Sequence, residues 1–343
     1  MTASIINGRL LTFFTVWLVL FTTGWRPCGA TSGATIRAGI IGCDTSHVLA
    51  FTKLFNSPEA GESLANVRVV AAFPGGSKDI PSSRDRVGMF SEELRGMGIV
   101  IVDSIDSLLE QVDVVLLESS DGRKHLEQVR PVMVAGKRVF IDKPLAGSLA
   151  DATEIIDLSK KTGTPFFSSS TMRFQPHVQH ARSRTELGQI TGCAAYSPCP
   201  LEPTHPDLYW YGVHGVETLF TIMGAGCESV TRTQTEGTEL VVGVWKGGRI
   251  GTFRGLRMGS HEFGAIVFRE KSNTYINGID GYETLVEQIA QFFKTGFPPV
   301  SAEETLDIFA FMEAADESKR QGGVPVTLES VLIKARAEVA ARK

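Results

Sequence analysis

The chain reads as a two-part α/β protein, a doubly wound parallel sheet followed by an α+β half built on a large, mostly antiparallel sheet. Three observations carry that expectation. Between Ile36 and Ser169, short β-favouring apolar runs alternate with segments of helical periodicity, the pattern of a parallel sheet covered on both faces. From Arg173 onward, strand-like runs follow one another across Gly-Gly and Glu-Gly turns, as antiparallel neighbours do. The run Val139-Phe140-Ile141 ends directly in Asp142-Lys143-Pro144, which puts a carboxylate and an ammonium at a strand's carboxyl end. Open α/β sheets bind their ligands there.

Length allows the two parts: 343 residues suffice for two domains, here 35–172 and 173–343. Hydrophobic content of 43% and charged content of 21% are ordinary for a folded globular chain. A net charge of −4 with acids and bases interspersed gives no sign of a nucleic-acid or polyanion partner. Residues 1–30 stand apart. Arg9 precedes an uncharged run from Leu10 to Trp25, too short for the ~20 apolar residues of a membrane span. Cys28-Gly-Ala30 and Ser32-Gly-Ala34 offer small residues for cleavage, so a secretory signal peptide is expected, with an uncleaved N-terminal anchor as the alternative. Cys28 lacks the neighbours of a lipoprotein cleavage site. Export, to the periplasm or outside the cell, would put Cys43, Cys193, Cys199 and Cys227 in an oxidising compartment, where Cys193 and Cys199 could pair.

Taken in order, Ile36–Ile41 is the first strand, and Val48, Phe51, Leu54 and Phe55 follow at helical spacing. The turn between them is Gly42-Cys43-Asp44-Thr45-Ser46-His47, which keeps only the first glycine of G-x-G-x-x-G. Asp44, Thr45 and Ser46 are all good helix N-caps, and Asp44 could also repel a phosphate arriving at that helix end. Val67–Phe73 is the second strand. It ends in Pro74-Gly-Gly-Ser77-Lys78, with Arg84 and Arg86 nearby, where an NAD-binding fold often has an acid. Basic residues suit a 2′-phosphate, a lean towards NADP; a solvated basic loop is the plainer account. Ile99–Val102, Val112–Leu117, Val139–Ile141 and Thr164–Ser169 complete the sheet. The polar loop Glu118-Ser119-Ser120-Asp121 lies between two of these strands, and Ser148 caps the helix before the last.

In the second half a short helix follows Pro176, then strands at Ile190–Tyr196, Ser229–Thr235, Glu239–Trp245, Arg249–Arg254 and Phe263–Phe268. Two helices close the chain. Tyr282, Leu285, Val286, Ile289, Phe292 and Phe293 form one apolar stripe, and Ser301 with Glu304 makes a capping box for the other. His177 and His180 sit three apart on the short helix without a third ligand, so no metal site is expected.

With these residues in hand, the chain resembles the Gfo/Idh/MocA family of NAD(P)-dependent oxidoreductases acting on sugars and cyclitols. The anchors are Gly39-Ile-Ile-Gly42, Ala135-Gly-Lys137 leading into Asp142-Lys143-Pro144, Arg173-Phe-Gln-Pro176, and Gly212-Val-His214-Gly-Val-Glu217. The family's usual form at the strand end is Glu-Lys-Pro, so Asp142 is a conservative departure. The resemblance implies that Lys143 and His214 are catalytic and face the substrate carbon beside the nicotinamide. A base must accept the hydroxyl proton as hydride leaves, and lysine beside an apolar wall or histidine can do so. It further implies a tightly held NAD or NADP along Gly42, Cys43, Asp44, Thr45, Ser46, Ser77, Lys78, Ser119, Asp142, Lys143 and Arg173. A carbohydrate-like substrate would meet Lys143, Tyr209, Trp210, Tyr211 and His214.

One departure matters. The family commonly carries an aspartate four residues before that histidine, and here Trp210 stands there. Asp207 could reach the site by another path, a tyrosine could take over, or the usual relay is absent. Two other readings therefore stay open beside a secreted dehydrogenase for a sugar, sugar acid or cyclitol. One is a family-type glycosidase or lyase that oxidises transiently; the other is a binding protein on the same fold. The open sheet is also a plausible homo-oligomer surface, as in the family.

Overall fold

A computed structural model describes residues 34–342 of the chain. The expected signal peptide and Cys28 lie outside the described residues. Six apolar runs form the first sheet: β1 (Ile36–Ile41), β2 (Val67–Phe73), β3 (Val100–Ile101), β4 (Val114–Leu117), β5 (Val139–Ile141) and β6 (Phe166–Ser168). All pairings are parallel, in the order β3-β2-β1-β4-β5-β6. The chain therefore reverses its direction of travel between β1 and β4, and a crevice opens beyond their carboxyl ends. Every residue of β4 and β5 is buried, which is why those runs carry no polar alternation.

Five helices belong to this half: α1 (His47–Asn56), α2 (Pro81–Gly96), α3 (Ile105–Leu109), α4 (Gly122–Val134) and α5 (Leu149–Thr162). Ser148 caps α5 as expected, its hydroxyl accepting from the Asp151 amide at 3.0 Å. The α2 segment corrects the reading of a solvated basic loop around Arg84 and Arg86. Pro81 opens that helix, but only Ser83, Ser91 and Leu94 on it are buried, so no apolar stripe announces it.

The second half runs α6 (Pro176–Ser183), β7 (Ile190–Pro198), α7 (Val213–Met223), β8 (Cys227–Gln234), β9 (Thr238–Trp245), β10 (Ile250–Leu256), β11 (Gly264–Arg269), β12 (Thr274–Asn277), α8 (Glu283–Thr295), α9 (Ala302–Arg320), β13 (Val326–Thr327) and α10 (Leu328–Ala341). Its sheet has the order β12-β11-β7-β10-β9-β8-β13. Only β7 and β10 pair parallel; the rest are antiparallel. A third closing helix, α10, was not expected. Its buried residues Leu328, Val331, Ala335 and Val339 are thinly spaced among charged ones.

Packing crosses the boundary between the halves, and residues from Thr35 onward make one compact unit. The α8 stripe (Leu285, Val286, Ile289, Ala290, Phe292 and Phe293) is buried against Ala38, Ile40, Phe140 and Phe167 of the first sheet. Removing those six side chains from water contributes roughly 10 kcal/mol before entropy is counted. Ser301 accepts from the Glu304 amide at 3.1 Å, but the Glu304 carboxylate turns to Arg173 at 2.7 Å, so the capping box is only half made. Cys43, Cys193, Cys199 and Cys227 are free and buried. Cys193 lies on β7 and Cys199 just past its end, and six residues of strand put them about 20 Å apart, too far to pair.

Candidate active site

A cavity of about 590 Å³ opens where the carboxyl ends of the first sheet meet the second half. The start of α1 gives it Thr45, Ser46 and His47, and α2 gives Ser82 and Arg86. Ser120 follows β4 and Lys143 follows β5. Thr171 follows β6, and the second half adds Trp210, Tyr211, His214, Phe263 and Tyr282. The wall thus holds cationic and protonatable groups, hydroxyls and aromatic rings, and among the described residues no carboxylate lines it.

Asp142 lies behind that wall, almost fully buried. Its Oδ1 accepts from the Lys143 amide at 2.8 Å, and its Oδ2 lies 2.6 Å from Nδ1 of His47. Burial opposes the charge, yet His47 and Lys143 hold the Asp142 carboxyl below the usual carboxylate range. The His47 ring stacks on Phe51 at 5.2 Å and meets the edge of Tyr282 at 4.8 Å, so it is fixed on both sides. The Lys143 ammonium stands 5.8 Å from the centre of the Tyr211 ring. Burial lowers its pKa, while the Asp142 and Asp44 charges act the other way.

His214 sits in the first turn of α7, with Nδ1 2.7 Å from the Ser170 hydroxyl. Ser170 also accepts from the Met172 amide at 3.1 Å, which fixes the hydroxyl. Tyr211 and Phe263 meet the imidazole edge-on at 4.8 and 6.0 Å. Burial, then the nearby Lys143 and His47, push the His214 pKa well below its ordinary value, so its ring stays neutral.

The turn after β1 departs from a bare glycine loop. Gly42 has φ +91°, and a Cβ there would lie 2.3 Å from the Ser119 hydroxyl, so only glycine fits. Asp44 neither caps α1 nor faces the cavity. It is 1% exposed. Its carboxylate accepts from the Ser120 amide (2.9 Å), the Ser120 hydroxyl (2.8 Å) and the Ser83 hydroxyl (2.5 Å). A resident carboxylate thus occupies donors beside the glycine turn that an anion would otherwise engage.

The structure brings Thr45, Ser46, Lys143, Trp210, Tyr211 and His214 to the cavity, with Asp142 directly behind. It does not bring the other expected residues there. Cys43 is fully buried, its thiol pushed up to about 12 by desolvation. Ser77 bonds Asp121, Lys78 is exposed on a loop, and Ser119 donates to Gln128 at 2.8 Å. Arg173 is paired with Glu217 and Glu304, a buried tie between elements. Tyr209 packs on Phe309 at 5.0 Å and donates to Glu313 at 3.3 Å, in the core. Asp207 provides no alternative relay, because it pairs with Arg232 at 2.8 Å and Lys319 at 2.5 Å. His177 bonds Asp280, and no metal-holding cluster exists among the described residues. His47, Ser170, Phe263 and Tyr282 were missed as site residues. The helical spacing places Tyr282 only at the start of a packing stripe. His47 closes the very hexapeptide that marks the turn, yet nothing in its spacing separates it from a helix's first residue.

A doubly wound parallel sheet facing a second sheet across a cavity, with Lys143-Pro144 at the β5 end, defines a two-domain dinucleotide-binding fold. Residues 36–169 match the Gfo/Idh/MocA family profile, described as "Oxidoreductase family, NAD-binding Rossmann fold". An uncharacterized oxidoreductase of Streptococcus pneumoniae is 28% identical over 166 residues, 43% of this chain and 44% of that protein. Inositol 2-dehydrogenase 3 of Saccharopolyspora erythraea is 26% identical over 200 residues, 54% of this chain and 53% of that protein. The match therefore spans about half the length of these relatives or less. Among solved structures, scyllo-inositol dehydrogenase from Lactobacillus casei with bound NAD(H) and scyllo-inositol superposes with a TM-score of 0.69 at 14% identity. That superposition covers 86% of this chain and 99% of that one, and it fixes the fold of both halves.

Proposed function

We propose that the chain is an NAD(P)-dependent dehydrogenase that oxidises a CH–OH group of a sugar, sugar acid or cyclitol. The observation that carries this is the cavity wall: Lys143, His47 and His214 converge on one space flanked by Trp210, Tyr211, Phe263 and Tyr282. Flat rings suit the apolar face of a sugar or cyclitol ring, and hydrogen-bonding cations suit its hydroxyls. A wall free of carboxylates also favours an anionic ligand, as both a sugar acid and a dinucleotide are.

The residues present fit a dinucleotide, with one constraint. Thr45 and Ser46 at the α1 N-terminus, Ser120 and Arg86 would hold its phosphates. The constraint is Asp44, whose charge is already satisfied by three protein donors and keeps the phosphates on the cavity side of the turn. Of the basic set behind the NADP reading, Arg86 lines the cavity, whereas Arg84 pairs with Asp85 at 2.9 Å. When bound, an oxidised nicotinamide accepts the carbinol hydrogen with its electron pair. Lys143 polarises the hydroxyl oxygen, and His214, held neutral by burial, positions it.

Titration of the purified chain with NADH and NADPH tests the reading, followed by reduction of NAD⁺ or NADP⁺ by a pool of hexoses, cyclitols and uronic acids. Binding without turnover of any pool member would favour the binding-protein alternative, which the filled anion position at Asp44 supports. The first 30 residues support export, and exported protein should begin near Thr31 or Thr35 on N-terminal sequencing. The outward face of the second sheet exposes Val244, Ile250, Phe268 and Tyr275 and supports a homo-oligomer, which sedimentation would reveal.

A further inference from the structure

Resting on that dehydrogenase reading, we infer that His47, oriented by Asp142, is the group that accepts the hydroxyl proton, and that His214 is a neutral hydrogen-bonding partner. The geometry is that of a histidine with one nitrogen committed and the other free. Nδ1 of His47 lies 2.6 Å from a carboxylate that is itself buried and held by the Lys143 amide. Nε2 has no protein partner among the described residues, and the residue lines the cavity. Phe51 and Tyr282 hold the ring plane, so the free nitrogen presents one direction to a substrate.

The alternative acceptor is worse placed electrostatically. A positive charge on His214 would be buried with only a hydroxyl at Nδ1, beside the Lys143 ammonium. A positive charge forming on His47 has the Asp142 carboxylate in contact. The charged and titratable groups around His47 are Asp142 and Lys143 beyond β5, His214 of α7, Tyr282 before α8, and Asp44 in its own turn. The carboxylate in direct contact outweighs the others at this distance. Trp210 stands where the usual aspartate would support His214, and the Asp142–His47 pair supplies the missing carboxylate–imidazole unit from the other side of the cavity.

The step balances. The carbinol C–H bond breaks with both electrons passing to the oxidised nicotinamide. The O–H bond breaks with its proton passing to Nε2 of His47, and the carbon–oxygen bond becomes a carbonyl. Asp142 stays ionised throughout as a positioning residue.

Two measurements test this. Nitrogen-15 NMR of the imidazoles, on the full chain without substrate, should place the pH-dependent protonation of His47 on Nε2. Its Nδ1 proton should show a carboxylate-bonded signature that Asp142→Asn removes. A pH-dependent Nδ1, or a signature unchanged in Asp142→Asn, would overturn the proposal whatever the substrate is. The second is single-turnover reduction of NAD⁺ or NADP⁺ with the same pool. His47→Asn should lower the rate about 10²–10⁴-fold and abolish the fall in rate on the acid side of the wild-type profile. His214→Asn should keep that acid-side fall. If His47→Asn is poorly folded, His47→Gln serves, with the dinucleotide titration as a check on the fold. An acid-side fall that persists without His47 and vanishes without His214 assigns the proton to His214 and overturns the inference. Wild-type protein that binds no dinucleotide defeats the dehydrogenase reading itself, while the NMR result still decides the state of the pair.

Discussion

Around Arg232 in the second half, buried charges meet charges. The guanidinium, 2% exposed, touches Asp207, Glu239 and Asp316, and Arg257 and Lys319 close the group from outside. Around Lys143, at the end of β5, the charges are fewer and less complete. Asp142 is matched by His47 and a backbone amide, while the Lys143 ammonium and the second nitrogens of His47 and His214 face a cavity instead of a partner. Both clusters cost desolvation. The first spends its interactions on itself and can only hold β8, β9 and α9 together. The second leaves donors and acceptors free for something that is not protein.

The sharpest way to break that contrast is to remove one cation from each cluster and read rate and stability separately. Lys143→Met keeps most of the stem and deletes the charge. Single-turnover rate should fall about 10²–10³-fold, as when a charge that polarises the reacting oxygen is lost. The melting temperature should hold, because the ammonium has no ion pair among the described residues to lose. An equal rate in the two proteins would remove Lys143 from the mechanism and make the contrast false on this side.

Arg232→Met should do the reverse. Removing the cation strands Asp207, Glu239 and Asp316 with fewer partners, and breaking a buried network in this way costs about 3–5 kcal/mol. Denaturant unfolding measures it. Turnover per folded molecule should be unchanged. A loss under 1 kcal/mol would mean that the network behaves like surface pairs and that the contrast is false.

Asp44→Gly lies between the two, since Asp44 is a satisfied charge placed at the ligand site. Its hydrogen bonds to Ser83 and Ser120 join α2 to the loop after β4. Their loss should cost about 1–3 kcal/mol in the free protein, more than a helix cap exchanged for glycine. The freed donors and the lost negative charge should tighten NADH or NADPH binding. Weaker binding, with the fold intact, would show that Asp44 organises the phosphate site and does not compete for it.

The sequence made the framework legible because apolar runs must be buried on both faces of a parallel sheet, and only a few lengths and orders allow it. The Lys143-Pro144 strand end and the His214 helix could be placed on the same grounds. What stayed hidden depended on side chains turning towards or away from a space. Trp210 and Tyr211 line the cavity while Tyr209 packs in the core, and nothing in three consecutive aromatics distinguishes them. Arg173 and Asp207 carry charges suited to a site, but their partners lie far along the chain, at Glu304 and Lys319. His47 was invisible for the opposite reason. Its partner, Asp142, lies 95 residues away and becomes adjacent only because β1 and β5 flank β4.

Glu118 gives the smallest difference, read as a slope across pH. It follows β4, is wholly buried, and neither carboxylate oxygen has a hydrogen-bond partner among the described residues. Burial, with Asp142 adding to it, raises its pKa well above the ordinary 4.5, so the folded chain keeps the proton. Between the unfolded and folded values the native state binds more protons than the unfolded chain. Wild-type stability is therefore full below the unfolded value and declines as pH rises, by at most about 1.4 kcal/mol per pH unit. Glu118→Gln is neutral at every pH and lacks this decline. At about pH 4.5 the two proteins should melt together, and the variant should gain steadily towards neutrality. Asp142 and Asp121, whose pKa values are lowered, contribute an opposite slope at lower pH, and they do so in both proteins. Melting curves that stay parallel from acid to neutral pH would mean that Glu118 is ionised in the fold and has found a cation. The region around Lys143 would then resemble the Arg232 network more closely than its open cavity suggests.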